Sequence, residues 1–189
     1  MFNFSFTNQI ILLVILLIVS AFFSISETSL MSINRYRLRH LAKNGDTGAK
    51  LATKLLQETD KLLSVILLCN NFCNAAAATL VTVIAVQLYG EQEIIIMMGT
   101  LITTFLILIF SEISPKVIAA AHSEKLALSC SFLLFPILKA LYPIVLFVNI
   151  FVLGILKIFN IKINFKQNNL ITMDELKSII SDSGQFIPN

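Results

Sequence analysis

No lysine or arginine precedes Arg35, and none occurs from Leu62 through Pro115. Charged residues make up only 13% of the 189-residue chain, against 57% hydrophobic. A soluble domain carries roughly 25% charged and about 45–50% apolar residues, so a soluble globular enzyme and a disordered chain are both excluded. Three cysteines supply no disulfide framework, which removes the stapled secreted class. Cys69 and Cys73 lie inside an apolar segment, leaving the redox compartment open. The only two histidines, His40 and His122, lie outside the apolar spans. With no Ser/His pairing and no metal-ligating His motif, an enzyme embedded in the membrane is disfavoured. The class that remains, in keeping with a mean hydropathy of +0.85, is an integral membrane protein.

Three apolar segments, about 8–33, 62–88 and 94–119, each exceed what a helix needs to cross the bilayer. The first lacks the positive n-region of a signal peptide and reads as an anchor helix. Seven cations crowd into Arg35–Lys61, whereas the loop Tyr89–Glu93 has two glutamates and no cation. Lys/Arg bias in short loops sets orientation, so the basic stretch faces the cytoplasm and the N-terminus faces out. Within that stretch Arg35–Lys43 and Thr47–Glu58 read as helices around an Asn44-Gly45-Asp46 turn. Its cations also suit anionic lipid, and its place against the membrane disfavours nucleic acid. A fourth apolar region, about 126–160, is interrupted by Pro136, Lys139 and Pro143 and flanked on both sides by lysine. Both of its ends are therefore expected at the inner face, as a juxtamembrane helical hairpin or re-entrant belt, in preference to a simple fourth span, which would put the C-terminus outside against the charges. The expected fold is all-α: three transmembrane helices plus a cytoplasmic-side juxtamembrane helical hairpin, within a membrane domain over 1–166. Residues 167–189 begin a cytoplasmic linker, where Thr172–Glu175 is a capping box opening a short helix, Asp174–Ser181.

Ionisable side chains at membrane depth are costly and mark functional sites by default. Two acids qualify: Glu27, late in the first span, and Glu112, late in the third. Ser20, Ser24 and Glu27 share one face of the first helix, and Asn70 and Asn74, with Asn71 beside them, are one turn apart on the second. Given the orientation, Ser24, Asn70, Asn74 and Glu112 fall at one depth in the inner half of the bilayer. Hard oxygen donors of this kind suit Mg²⁺ or Na⁺ rather than zinc or copper. Pro115 has no N–H, which frees the carbonyl of Ser111 beside Glu112 as a further ligand. Plainer readings exist for each residue alone. Glu112 and Lys116 form an i, i+4 ion pair, Glu27 faces Arg35 or Arg37, and Ser and Asn serve as interhelical glue. Joint occurrence at one depth favours an ion site.

The run Ser20–Leu30 (SAFFSISETSL) followed by Asn34–Leu41 (NRYRLRHL), then Asp60–Asn74 (DKLLSVILLCNNFCN) and Ser111–Lys116 (SEISPK), resembles the transmembrane domain of the CNNM/CorC magnesium-transport family. The resemblance covers nearly the whole chain. It implies a homodimer in a bacterial inner membrane, multi-pass, with a cytoplasmic C-terminus. It implies Mg²⁺ export coupled to Na⁺ entry by alternating access, with a non-transporting Mg²⁺-sensing scaffold as the alternative. Carried over residue by residue, it puts the metal site on Ser24, Asn70, Asn74 and Glu112. Ser26, Glu27, Asn71, Ser111, Pro115 and Lys116 fall in the same motifs. Ile25, Cys69 and Ser111 stand where family members commonly carry Gly, and the family's cytoplasmic CBS module is not expected within this chain.

Overall fold

A computed structural model describes residues 5–90 and 92–158; the expected linker at 167–189, with its capping box and short helix, lies outside them. Every element among the described residues is helical: α1 (Phe6–Ser32), α2 (Arg35–Lys43), α3 (Thr47–Gln57), α4 (Thr59–Tyr89), α5 (Glu93–Leu106), a π-helical segment (Ile107–Ile113), α6 (Ser114–Ala121) and α7 (Ser123–Ile158). The stretch from α5 through α6 is long and apolar enough as a whole to cross a membrane, as are α1 and α4. These three agree with the expected spans to within a few residues, because a long apolar run leaves the backbone no better option in lipid than to satisfy itself as helix.

The packing of α1 is inverted relative to a helix of a soluble bundle. On α1 the buried residues include Ser20, Ser24, Ser26 and Ser29, while Ile18 is 63% exposed and Ile10, Ile11 and Ile15 face outward too. Helices in lipid gain nothing by hiding leucine, so small residues take the interfaces where backbones approach. α1 is central and packs against α4, the π segment and α6. The α4 stripe Leu62, Val65, Ile66, Asn70, Cys73 and Ala77 is buried at helical spacing and carries Asn70 into the interior.

α2 and α3 form a pair beyond the end of α1. The Asn34 side chain caps α2, accepting from the N–H groups of Tyr36 and Arg37 at 3.0 and 3.1 Å, and Asp46 caps α3 by accepting from the Ala49 N–H at 2.7 Å. Gly45 supplies the turn between them at φ +100°. Leu38, Ala49 and Ala52 join Leu30, Leu62, Ala127 and Leu134 in one buried cluster, which brings α7 onto the pair. Gly48 permits that approach, since a Cβ there would meet the Leu128 carbonyl oxygen at 3.0 Å and the Phe132 ring at 3.2 Å.

The hairpin expected over about 126–160 is not confirmed among the described residues. α7 is one helix with Pro136 and Pro143 inside it. Each proline removes one hydrogen bond and crowds the preceding turn, but in membrane surroundings neighbouring groups re-satisfy the freed carbonyl and the helix continues. By length and composition Ser123–Ile144 joins the other three as a candidate membrane-crossing helix, so hydropathy alone does not yield a count of three. Residues up to Leu146 form one compact unit; Phe147–Asn189 is a second, whose described residues are helical.

Candidate metal centre

Three helices bring side-chain oxygens together. The Ser20 hydroxyl on α1 lies 2.6 Å from Asn70 Oδ1 and 2.8 Å from Asn74 Oδ1, both on α4. A hydroxyl has one proton to donate, so two amide oxygens share a single donor. Asn74 in turn donates through Nδ2 to Glu112 Oε1 at 3.0 Å, which ties the carboxylate of the π segment to the cluster. Ser24, one turn along α1 from Ser20, is fully buried, and among the described residues its hydroxyl has no hydrogen-bond partner. An orphaned buried hydroxyl costs about 1–3 kcal/mol. The other hydroxyls on these helices show how easily that cost is avoided. Ser26 donates to the Phe22 carbonyl, Thr82 to Ala78 and Thr103 to Gly99, each four residues back along its own helix.

The π segment explains how Glu112 reaches this point. The buried residues Thr103, Ile107, Ser111, Pro115 and Ala119 recur every four residues. That spacing outruns the 3.6 residues of an α-turn, and the wider π turn takes up the difference and holds the stripe on one face. The Ser114 N–H bonds the Ile109 carbonyl, five residues back, and Pro115 has no N–H for the next rung. The break expected at Pro115 therefore takes the form of a π segment just before it, containing both Ser111 and Glu112.

Each residue singled out from the sequence can now be located. Asn70, Asn74 and Glu112 are joined through hydrogen bonds, and Ser24 is buried one turn from Ser20. Ser111 is buried, with its hydroxyl 3.3 Å from the Leu17 carbonyl of α1. Ser26 is satisfied by its own helix, and Asn71 is exposed on the outer face of α4. Lys116 does not pair with Glu112, nor Glu27 with Arg35 or Arg37. Lys116 Nζ bridges to Glu27 Oε2 at 3.2 Å, joining α6 to α1, and Arg37 pairs with Glu124 at 2.7 Å. The predicted ligand set lacked Ser20. The available signal was its i, i+4 relation to Ser24, which puts both hydroxyls on the face that meets α4. No group of three or more His, Cys, Asp or Glu able to hold a metal occurs among the described residues; the donors here are hydroxyl, amide and a single carboxylate.

Residues 11–186 match the cyclin M transmembrane N-terminal domain family. The chain is 46% identical over 179 residues to a UPF0053 protein of Haemophilus influenzae, covering 95% of this chain and 42% of that protein. It is 40% identical over 165 residues to the UPF0053 inner membrane protein YfjD of Escherichia coli, covering 87% and 38%. A chloroplastic DUF21 domain-containing protein of Arabidopsis thaliana is 32% identical over 174 residues, covering 92% and 26%. The chain thus spans 42% or less of the length of these relatives. It belongs to the cyclin M (CNNM/UPF0053) family of membrane domains.

Proposed function

We propose that this domain transports Mg²⁺, exporting it by alternating access with Na⁺ entry as the driving force. The observation that carries the reading is the convergence of Ser20, Asn70 and Asn74 oxygens at 2.6–2.8 Å, with Glu112 attached through Asn74. Octahedral Mg²⁺ binds oxygen at 2.0–2.1 Å, which puts adjacent ligands about 2.9 Å apart. The larger Ca²⁺ would hold them farther apart. A cation seated here takes the place of the proton that one hydroxyl cannot give twice. It also gives the orphaned Ser24 hydroxyl a partner. Glu112 contributes the charge, and the amides and hydroxyls contribute neutral oxygens, so the site can compensate Mg²⁺ only in part. Incomplete neutralisation keeps binding weak enough for release, which a transporter needs and a storage site does not.

In this reading α1, α4 and the α5–α6 rod cross the membrane, with the N-terminus outside, and α7 lies along the inner face. Two contacts support that placement of α7. Glu124 near its start pairs with Arg37 of α2, and the Tyr142 ring lies under Lys61 in the first turn of α4, 5.0 Å to the centroid. The intervening 18 residues of helix extend about 27 Å, yet both ends touch the same layer of the protein. A helix crossing the bilayer would carry Tyr142 to the opposite side. Two copies of the domain associate as a homodimer, and the coupling ion is Na⁺, both as expected from the family resemblance.

Calorimetric titration of the purified chain with Mg²⁺ tests the site. Glu112→Gln keeps the size of the side chain and removes its charge. Charge-assisted contacts contribute about 1.5–3 kcal/mol, so affinity is expected to fall at least ten-fold. Unchanged affinity would show that Mg²⁺ binds elsewhere.

A further inference from the structure

A cavity of about 110 Å³ opens between α2 and α3, lined by Arg35, Leu38, Arg39, Thr53, Leu56 and Gln57. Its construction is regular. Arg35 and Arg39 are one turn apart on α2, and Thr53 and Gln57 are one turn apart on the facing side of α3. Leu38 and Leu56, both buried, form the apolar floor. The charges in the cavity are all of one sign, since no carboxylate lines it.

The three α2 arginines are used differently. Arg37 is committed to Glu124. Among the described residues neither Arg35 nor Arg39 has an ion pair. Thr53 already donates its proton to the Ala49 carbonyl at 2.7 Å, so it offers only wall and lone pairs, whereas the Gln57 amide remains a donor. Two planar guanidinium groups and an amide over an apolar floor match a tetrahedral oxyanion, which guanidinium forks bind in bidentate fashion. The location narrows the choice further. α2 begins three residues after α1 ends at Ser32, and Tyr36, next to Arg35 in the chain, is 85% exposed. That is the level of lipid headgroups, where interfacial tyrosine is enriched. The cavity is large enough for a phosphate group.

We propose that the α2–α3 cavity binds a phosphate group through Arg35, Arg39 and Gln57, delivered by an anionic phospholipid headgroup or by soluble phosphate. The bound group staples α2 to α3 at the membrane boundary. Neither arginine belongs to the cation site, so this assignment stands or falls independently of Mg²⁺ transport.

Native mass spectrometry of the full chain in detergent tests it, with phosphatidylglycerol and phosphatidylcholine of identical acyl chains as probes and inorganic phosphate as a third. The Arg35→Gln/Arg39→Gln variant is compared with Lys43→Gln/Lys50→Gln, which loses the same charge from exposed positions outside the cavity. The arginine variant loses both charge-assisted guanidinium contacts, so it is expected to bind phosphatidylglycerol at least about ten-fold more weakly, while the lysine variant, with no contact to the cavity, keeps its affinity. Loss of inorganic phosphate binding in the arginine variant alone would support the same site with a soluble source. Equal binding of the two lipids with no phosphate adduct would overturn the proposal, as would equal losses in the two variants. Helical circular dichroism on both variants guards against misfolding.

Discussion

Ser24 and Ser26 are two residues apart on one helix and both fully buried, yet they differ in what their hydroxyls do. Ser26 is satisfied by the Phe22 carbonyl, and Ser24 by no group among the described residues. If the Ser24 hydroxyl is kept for a cation, Ser24→Ala should leave the melting temperature unchanged or slightly raised, because it deletes an unsatisfied polar group. The same change should weaken Mg²⁺ binding about ten-fold or more. Ser26→Ala should do the reverse, lowering stability by up to about 1 kcal/mol and leaving Mg²⁺ affinity alone. Melting curves and calorimetry on the two alanine variants read both effects. Equal Mg²⁺ affinities would remove Ser24 from the site. At this scale the sequence was informative about residue type and depth but not about partners. Asn70, Asn74 and Glu112 stood out as polar groups in apolar helices. That Ser20 faces both amides depends on how α1 is rotated against α4. That Lys116 reaches Glu27 rather than Glu112 depends on the wider turn of the π segment, which no α-helical spacing rule anticipates.

Among the elements, the ion pair between Glu27 and Lys116 connects α1 to α6 beside the candidate site. Its side chains are 22% and 42% exposed, so a modest coupling of about 1 kcal/mol is expected. Glu27→Gln and Lys116→Met should each destabilise the domain, and the double variant should recover part of the sum in a double-mutant melting cycle. Strict additivity would mean that the pair contributes nothing. The contact of α3 with α7 at Gly48 is less forgiving. Gly48→Ala forces a Cβ against the Leu128 carbonyl, and the crowding should cost about 1–3 kcal/mol, seen as a lower melting temperature. An unchanged value would mean that the helices can part freely. The long apolar helices and the two short helices α2 and α3 were legible because hydropathy and the Asn44-Gly45-Asp46 turn mark their limits. α7 was not, because Pro136 and Pro143 signal a break in water that a membrane helix absorbs.

For the molecule as a whole, a mostly apolar interior encloses a small polar cluster, and the exterior is apolar too. Exposed isoleucine, leucine and phenylalanine hold the helices in lipid, while the buried serines and asparagines collect oxygens that no lipid can satisfy. The layer formed by α2, α3 and the first part of α7 anchors the ends of α1 and α4. In the proposed mechanism it holds them while the rod from α5 through α6, with its π segment, moves. A sensor that binds Mg²⁺ without moving it would share all of this architecture, so binding alone does not separate the two, and flux does. The decisive measurement is Mg²⁺ efflux from proteoliposomes, with and without an opposing Na⁺ gradient, comparing the wild-type chain with Glu112→Ala. The account predicts Na⁺-dependent efflux from the wild type and none above background from the variant. Mg²⁺ binding without efflux under either gradient, or equal efflux from both proteins, would contradict it.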